Sequence, residues 1–199
     1  NGAPAIGSER ERNSSQKHIS EEKAQIMLNF EFYSPTRLIF GKGTADQVGD
    51  HIAPLAKKVL LHYGSERVVQ SGLIGRIENS LANAGVACVK LGGVIANPDI
   101  ELVLKGVALA RQEEVDLILC VGGGSVIDSG KAIALGLKNP DLDLWSVYEN
   151  NLETRGAYPV ACVLTFPAAG SEASNSTVIS NYKTNKKCGY NREWNRPVL

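Results

Sequence analysis

The stretch Leu117-Ile118-Leu119-Cys120-Val121-Gly122-Gly123-Gly124-Ser125-Val126-Ile127-Asp128 constrains the fold more than any other part of the chain. An apolar run this short, closed by glycines, reads as a strand buried on both faces. After Ser125 the period changes. Val126, Gly130, Ile133, Ala134 and Leu137 recur at helical spacing and mark one face of an amphipathic helix. The glycines therefore occupy a strand-to-helix turn, where they allow positive φ and the close approach of a ligand to bare backbone. The helix behind them offers unpaired N–H groups and the positive end of its dipole, which suits a phosphate. A plain tight turn fits the local signal as well. The run is not G-x-G-x-x-G, because the third glycine is missing, and no Gly-Lys-Ser/Thr follows to make a P-loop.

The remaining pattern alternates strands and helices. Short strands are expected at Phe30–Phe32 and Arg37–Phe40, then a helix over Ala45–His51. A strand follows over Lys58–Tyr63, a single helix over 70–84, a strand over Val86–Leu91 and a helix from Ile100 to about Glu114 with Asp99 as its N-cap. The glycine strand and its helix come next, then a buried strand over Pro159–Leu164. Thr177–Asn181 and Lys186–Tyr190 read as a hairpin, and Arg196–Leu199 as the start of a further strand. This order predicts an α/β fold: a Rossmann-like parallel sheet with flanking helices, plus a β-hairpin. Ligands in such sheets bind beyond the carboxyl ends of the strands. Three strand exits carry polar or glycine residues: Gly64-Ser65-Glu66-Arg67, Gly122 to Ser125, and Thr165. The small, hydroxyl-rich segment from Thr165 to Asn175 suits contact with a polar ligand.

The 199 residues are enough for one domain with a sizeable core, and the formal net charge is zero. Nothing in that balance points to nucleic acid or an anionic membrane surface. No apolar run approaches the roughly 20 residues of a membrane span. Cys88, Cys120, Cys162 and Cys188 lack metal-ligand spacing, and the first three sit in apolar runs. They read as small core residues in a reducing, cytoplasmic setting. Residues 1–26 read as a disordered leader or tag, with Met27 the preferred natural start, and 27–199 as one α/β domain.

The segments Phe40-Gly41-Lys42-Gly43, Tyr63-Gly64-Ser65, Asn97-Pro98, Gly122 through Lys131, and Cys162 through Glu172 together resemble the iron-containing (group III) alcohol dehydrogenases. The butanol dehydrogenase and broad aldehyde reductase branch is the nearest. The resemblance runs from Asn29 to Leu199 and matches the N-terminal half of such an enzyme. It implies the dehydroquinate synthase-like N-terminal domain, here without the C-terminal helical metal domain. It also implies hydride transfer between NADP(H) or NAD(H) and a small alcohol or aldehyde, in a homodimeric parent that holds Fe²⁺ or Zn²⁺.

Carried over by position, the resemblance places the pyrophosphate over Gly123, Gly124 and Ser125, with Asp128 near the nicotinamide ribose. Asn97, Thr165, Ser171, Ser174 and Lys187 match other cofactor-contacting positions, although the branch more often has Asn at Ser174. Gly64, Ser65 and Arg67 match the loop facing the adenosine ribose. There the branch usually shows Gly-Gly-Gly-Ser, and this chain has Gly-Ser-Glu-Arg. Arg67 would pair a 2′-phosphate and favour NADPH, whereas Glu66 would accept from a ribose 2′-OH and favour NADH. The family's metal ligands, one Asp and three His, fall beyond Leu199. His18, His51 and His62 show no ligand spacing. The chain as given is therefore expected to be inactive. A stand-alone dinucleotide-binding module is one alternative. A glycerol dehydrogenase or dehydroquinate synthase-like enzyme on the same fold is another.

Overall fold

The computed structural model describes residues 33–199 together with Gly2 and Glu31. Apart from Gly2 and Glu31, the leader expected over 1–26 and the strand at Phe30–Phe32 lie outside the described residues. Pro35–Leu199 forms one compact unit.

Within that unit, four strands make a parallel sheet: β1 (Lys58–Tyr63), β2 (Ala87–Leu91), β3 (Leu117–Gly122) and β4 (Val160–Leu164), in the order β2-β1-β3-β4. The helices are α1 (Val48–Ile52), α2 (Glu66–Gln70), α3 (Leu73–Asn83), α4 (Ile100–Gln112), α5 (Gly124–Lys138) and α6 (Leu144–Asn150). β5 (Ser176–Asn181) and β6 (Lys186–Asn191) form the expected antiparallel hairpin. Its turn is held by Asn181, whose Oδ1 accepts from the amides of Lys183 and Thr184. The α/β fold with a parallel sheet, flanking helices and a hairpin is thus present.

Strand alternation sorts the core into two layers. Val59, Leu61, Leu117, Leu119 and Val121 face α1 and α3, where Ile52, Ile74, Ile77 and Leu81 are buried. Leu60, Ile118, Cys120 and Val160 face the other way, against Val103 of α4, Ile127 and Ile133 of α5, and Val147 and Tyr148 of α6. All six residues of β3 are buried, as a central strand covered on both faces requires. Each such Leu or Ile contributes roughly 1.5–3 kcal/mol by leaving water. Of the cysteines only Cys120 is fully buried; Cys88, Cys162 and Cys188 are half-buried.

Several elements differ from expectation. The helix expected over 70–84 is α3, which starts at Leu73 behind Gly72 at φ 75°, and the short helix α2 before it occupies the segment read as a polar strand exit. The helix at Ala45–His51 opens as a 3₁₀ turn, Thr44–Gln47, before α1. Neither Arg37–Phe40 nor Arg196–Leu199 is a strand. The two segments instead meet: Thr36 Oγ1 donates to Pro197 O at 2.7 Å and the Arg37 amide to Val198 O at 3.1 Å. The Val198 amide donates to Val160 O and the Cys162 amide to Leu199 O, both at 2.8 Å, so the tail lies on the free edge of β4. Pro197 has no N–H to continue a ladder there. Helix α6 was not anticipated as a helix. Asp143 caps it by accepting from the Ser146 amide at 2.9 Å. No helix among the described residues is long and apolar enough to cross a membrane.

Candidate functional site

The sheet order puts β2 on one side of β1 and β3 on the other, so the chain's winding direction reverses between β1 and β3. The loops leaving their carboxyl ends diverge at such a switch point and leave a crevice. Here the crevice has a volume of about 400 Å³ and is lined by Gly64, Ser65, Arg67, Val68, Ser71, Leu73, Val121, Gly122, Gly123, Val126 and Thr165. The structure thus brings Gly64, Ser65, Arg67, Gly123 and Thr165 together at the predicted end of the sheet. Glu66 is exposed and does not line it. Arg67 is the only charged residue on this lining.

The glycine turn owes its glycines to space rather than to dihedral angle. None of Gly122, Gly123 and Gly124 has positive φ, so the left-handed region that glycine allows is not used here. A Cβ at Gly122 would collide with the Val126 side chain. Gly123 and Gly124 have no such neighbour. A Cβ on Gly123 would stand 3.9 Å from Phe166 O, and one on Gly124 would stand 3.9 Å from Ser171 Cβ. Packing within the described residues therefore leaves room for side chains that the sequence does not supply.

No side chain caps α5. Gly123 O accepts from the amides of Val126 and Ile127 at 3.0 and 3.2 Å, and the amides of Gly124 and Ser125 find no acceptor among the described residues. A bare, uncapped helix N-terminus beside open space is what an anionic ligand needs.

The opposite wall is the segment from Thr165 to Ser176. Its start is tied to the turn, the Thr165 amide donating to Gly122 O at 3.1 Å. Its end is tied to α5 by Asp128 and Lys131, one helical turn apart. Asp128 Oδ1 accepts from Ser171 Oγ at 2.5 Å, and Oδ2 accepts from the Val178 amide at 3.2 Å. Lys131 is fully buried, and its ammonium donates to Ser171 Oγ, Ser174 O and Ser176 O at 3.2, 2.9 and 2.8 Å. Burial raises the carboxyl pKa of Asp128, and the Ser171 hydrogen bond opposes that rise. Burial also lowers the Lys131 pKa, opposed by the Asp128 charge. Ser174 Oγ accepts from the Ser176 amide at 3.2 Å. Asp128, Ser171 and Ser174 thus form one network whose centre is Lys131, the lysine that closes the Gly122-to-Lys131 segment of the family resemblance. The signal available was its i+3 spacing from Asp128.

Asn97 and Lys187 meet on the hairpin side. Lys187 Nζ donates to Asn97 Oδ1 at 2.7 Å, and Tyr182 Oη donates to Asn97 O at 3.0 Å. Asn97 has φ 56°, a conformation Asn tolerates better than most residues. Lys187 is near enough to favour the ionised form of Asp128.

Residues 35–199 match the family described as iron-containing alcohol dehydrogenase. The chain belongs to that family. It is 40% identical over 173 residues to the probable NADH-dependent butanol dehydrogenase 1 of Bacillus subtilis, covering 87% of this chain and 43% of that protein. It is 36% identical over 175 residues to the NADPH-dependent aldehyde reductase YqhD of Escherichia coli, covering 87% of this chain and 44% of that protein. The crystal structure of NADH-dependent butanol dehydrogenase A from Thermotoga maritima superposes with a TM-score of 0.82 at 36% identity, over 86% of this chain and 43% of that one. The chain thus spans less than half the length of these relatives.

The family name of an iron-containing alcohol dehydrogenase implies a metal, and the described residues do not fit one. They contain no group of three or more His, Cys, Asp or Glu able to hold an ion. His62 is committed elsewhere, with Nδ1 2.9 Å from Leu91 O and Nε2 2.8 Å from Ser129 Oγ. The glycine turn, in contrast, fits a dinucleotide. The space above Gly123 and Gly124, the free amides behind it and the neutral crevice walls around one arginine match a diphosphate flanked by two nucleosides.

Proposed function

We propose that this chain is the nucleotide-binding part of an NAD(P)-dependent alcohol dehydrogenase or aldehyde reductase. The observation that carries this reading is the uncapped N-terminus of α5 beside the crevice lined by Gly123 at the switch point of the sheet, where a Cβ on Gly123 or Gly124 would meet nothing closer than 3.9 Å. The names of the relatives, butanol dehydrogenases and an aldehyde reductase, supply the reaction class. When bound, the nicotinamide supplies or takes up the hydride. The residues of this chain bind and orient the cofactor. The amides of Gly124 and Ser125 face the pyrophosphate, Asp128 accepts from the nicotinamide ribose, and Asn97, Thr165 and Lys187 flank that half. Gly64, Ser65 and Arg67 face the adenosine ribose. Because Arg67 lines the crevice and Glu66 does not, NADPH is the preferred form. The substrate is a small alcohol or aldehyde.

The described residues hold no metal-ligand set, so the electrophile that stabilises a developing alkoxide must come from elsewhere. The described residues would then bind cofactor without themselves supplying that electrophile. The test is NADPH fluorescence titration of the chain, together with NADPH oxidation in the presence of butyraldehyde and added Fe²⁺ or Zn²⁺. Saturable binding without turnover is expected. Failure to bind either dinucleotide would overturn the reading of the turn, and metal-dependent turnover would overturn the reading of the electrophile.

A further inference from the structure

Lys131 is a poor choice for simple packing. Its side chain is fully buried, and a methionine would fill much the same volume without stripping water from an ammonium. The charge has a use in what it touches. All three of its acceptors lie in the segment from Ser171 to Ser176, and two of them are backbone carbonyls. One helical turn before it, Asp128 grips the same segment through the Ser171 hydroxyl and also accepts from the Val178 amide of β5, just beyond it.

Ser171 joins the two charges. Its oxygen accepts from Lys131 and its only hydrogen goes to Asp128, so the hydroxyl has no hydrogen left to donate to an anion. Ser171 therefore serves as part of the frame in this arrangement. The frame matters because of where it stands. The Cβ atoms of Ser171 and Ala169 lie 3.9 and 4.0 Å from the position a Cβ on Gly124 would take, so this segment is the wall facing the glycine turn. One rigid helix, α5, thus carries both the free amides at its first turn and the post that sets the height of the opposing wall.

We propose that Lys131 is a positioning residue for the dinucleotide's pyrophosphate: it fixes the Ser171–Ser176 segment over the glycine turn and so sets the width of the phosphate cradle. The proposal rests on the cofactor reading above. Lys131 touches no ligand in it; the residue acts through the loop. A cradle held at the right width before the ligand arrives binds more tightly because less ordering remains to be done on binding. Lys131→Met removes the three hydrogen bonds while keeping the volume. Lys131→Gln keeps a donor that reaches part of the way.

The experiment is calorimetric titration of the full chain and of both variants with NADPH, NADH and AMP, alongside thermal melts and amide hydrogen exchange over residues 166–176. Lys131→Met should weaken both dinucleotides by about tenfold or more and leave AMP, which lacks the pyrophosphate, within about twofold. Lys131→Gln should fall between, and exchange over the loop should rise in the same order. A folded Lys131→Met with unchanged dinucleotide affinity would overturn the proposal and leave the cofactor reading standing. Equal losses for AMP and the dinucleotides, or failure of both variants to fold, would make Lys131 a structural residue and overturn it too. A wild-type chain that binds no dinucleotide would remove the reading beneath it and the proposal together.

Discussion

Ser171 gives its single hydroxyl hydrogen to Asp128, Oγ to Oδ1 at 2.5 Å, and the two residues are 43 positions apart in the chain. The bond holds a loop onto a helix and also favours the ionised form of a half-buried carboxylate, because it opposes the rise in pKa that burial causes. Ser171→Ala should therefore push the Asp128 pKa further up and cost about 1–3 kcal/mol of stability. Carboxyl NMR titration and urea unfolding measure the two effects. An unshifted Asp128 would show that the hydroxyl does not support its charge.

His62 should make stability depend on pH. Its Nδ1 lies against the Leu91 carbonyl, which can only accept, so Nδ1 carries the hydrogen and Ser129 donates to Nε2. Protonating Nε2 would turn that acceptor into a donor in a fully buried place. Burial accordingly lowers the His62 pKa from 6.5 to about 4. Between those values the unfolded chain binds a proton that the folded chain refuses, so His62's contribution is complete above pH 6.5 and is lost as the pH falls toward 4. The loss amounts to roughly 3 kcal/mol. Urea unfolding from pH 7 to 4 should show a steeper decline for the wild type than for His62→Gln. Parallel curves would contradict the assignment.

Arg67 should read the 2′ position of the cofactor. A charge-assisted pair to a phosphate contributes about 1.5–3 kcal/mol, so Arg67→Ala should weaken NADPH roughly 10- to 100-fold and leave NADH within about threefold. Competitive titration of both cofactors against the variant gives the ratio. Equal losses would mean that the arginine lines the crevice without reading the phosphate.

What the sequence made legible follows from how local each signal is. Strand β3 was plain because a strand buried on both faces must be apolar at every position. The hairpin was plain because its apolar and polar runs flank Lys183-Thr184-Asn185, and Asn185 does sit at φ 54°. Helix α2 was hidden, since its five residues are too few to set up a helical period and directly follow a polar strand exit. Helix α6 was hidden for want of length. At the site, the glycine turn announced itself, but its reason did not. Glycine allows positive φ, whereas the structure shows ordinary φ, with a Cβ at Gly122 excluded by Val126 and room for one at Gly123 and Gly124. The Lys131 network was legible only in part: Asp128 and Lys131 match the family pattern three residues apart, but the acceptors of Lys131 lie 40 to 45 positions away and leave no local signature.

The central claim is that the open space over the glycine turn belongs to a pyrophosphate, and Gly124→Val tests it most directly. A Cβ at this position would meet Ser171 Cβ at 3.9 Å and Ala169 Cβ at 4.0 Å, ordinary contact distances, so the first atom of the new side chain fits. The substitution should cost less than about 1 kcal/mol of stability. The new side chain would fill the space the phosphates need. Calorimetric titration with NADPH, on wild type and on Gly124→Val with matching thermal melts, should show saturable binding for the first. For the second, the loss should be at least about tenfold, which is 1.4 kcal/mol or more. A folded Gly124→Val chain that binds NADPH as tightly as the wild type would contradict the account.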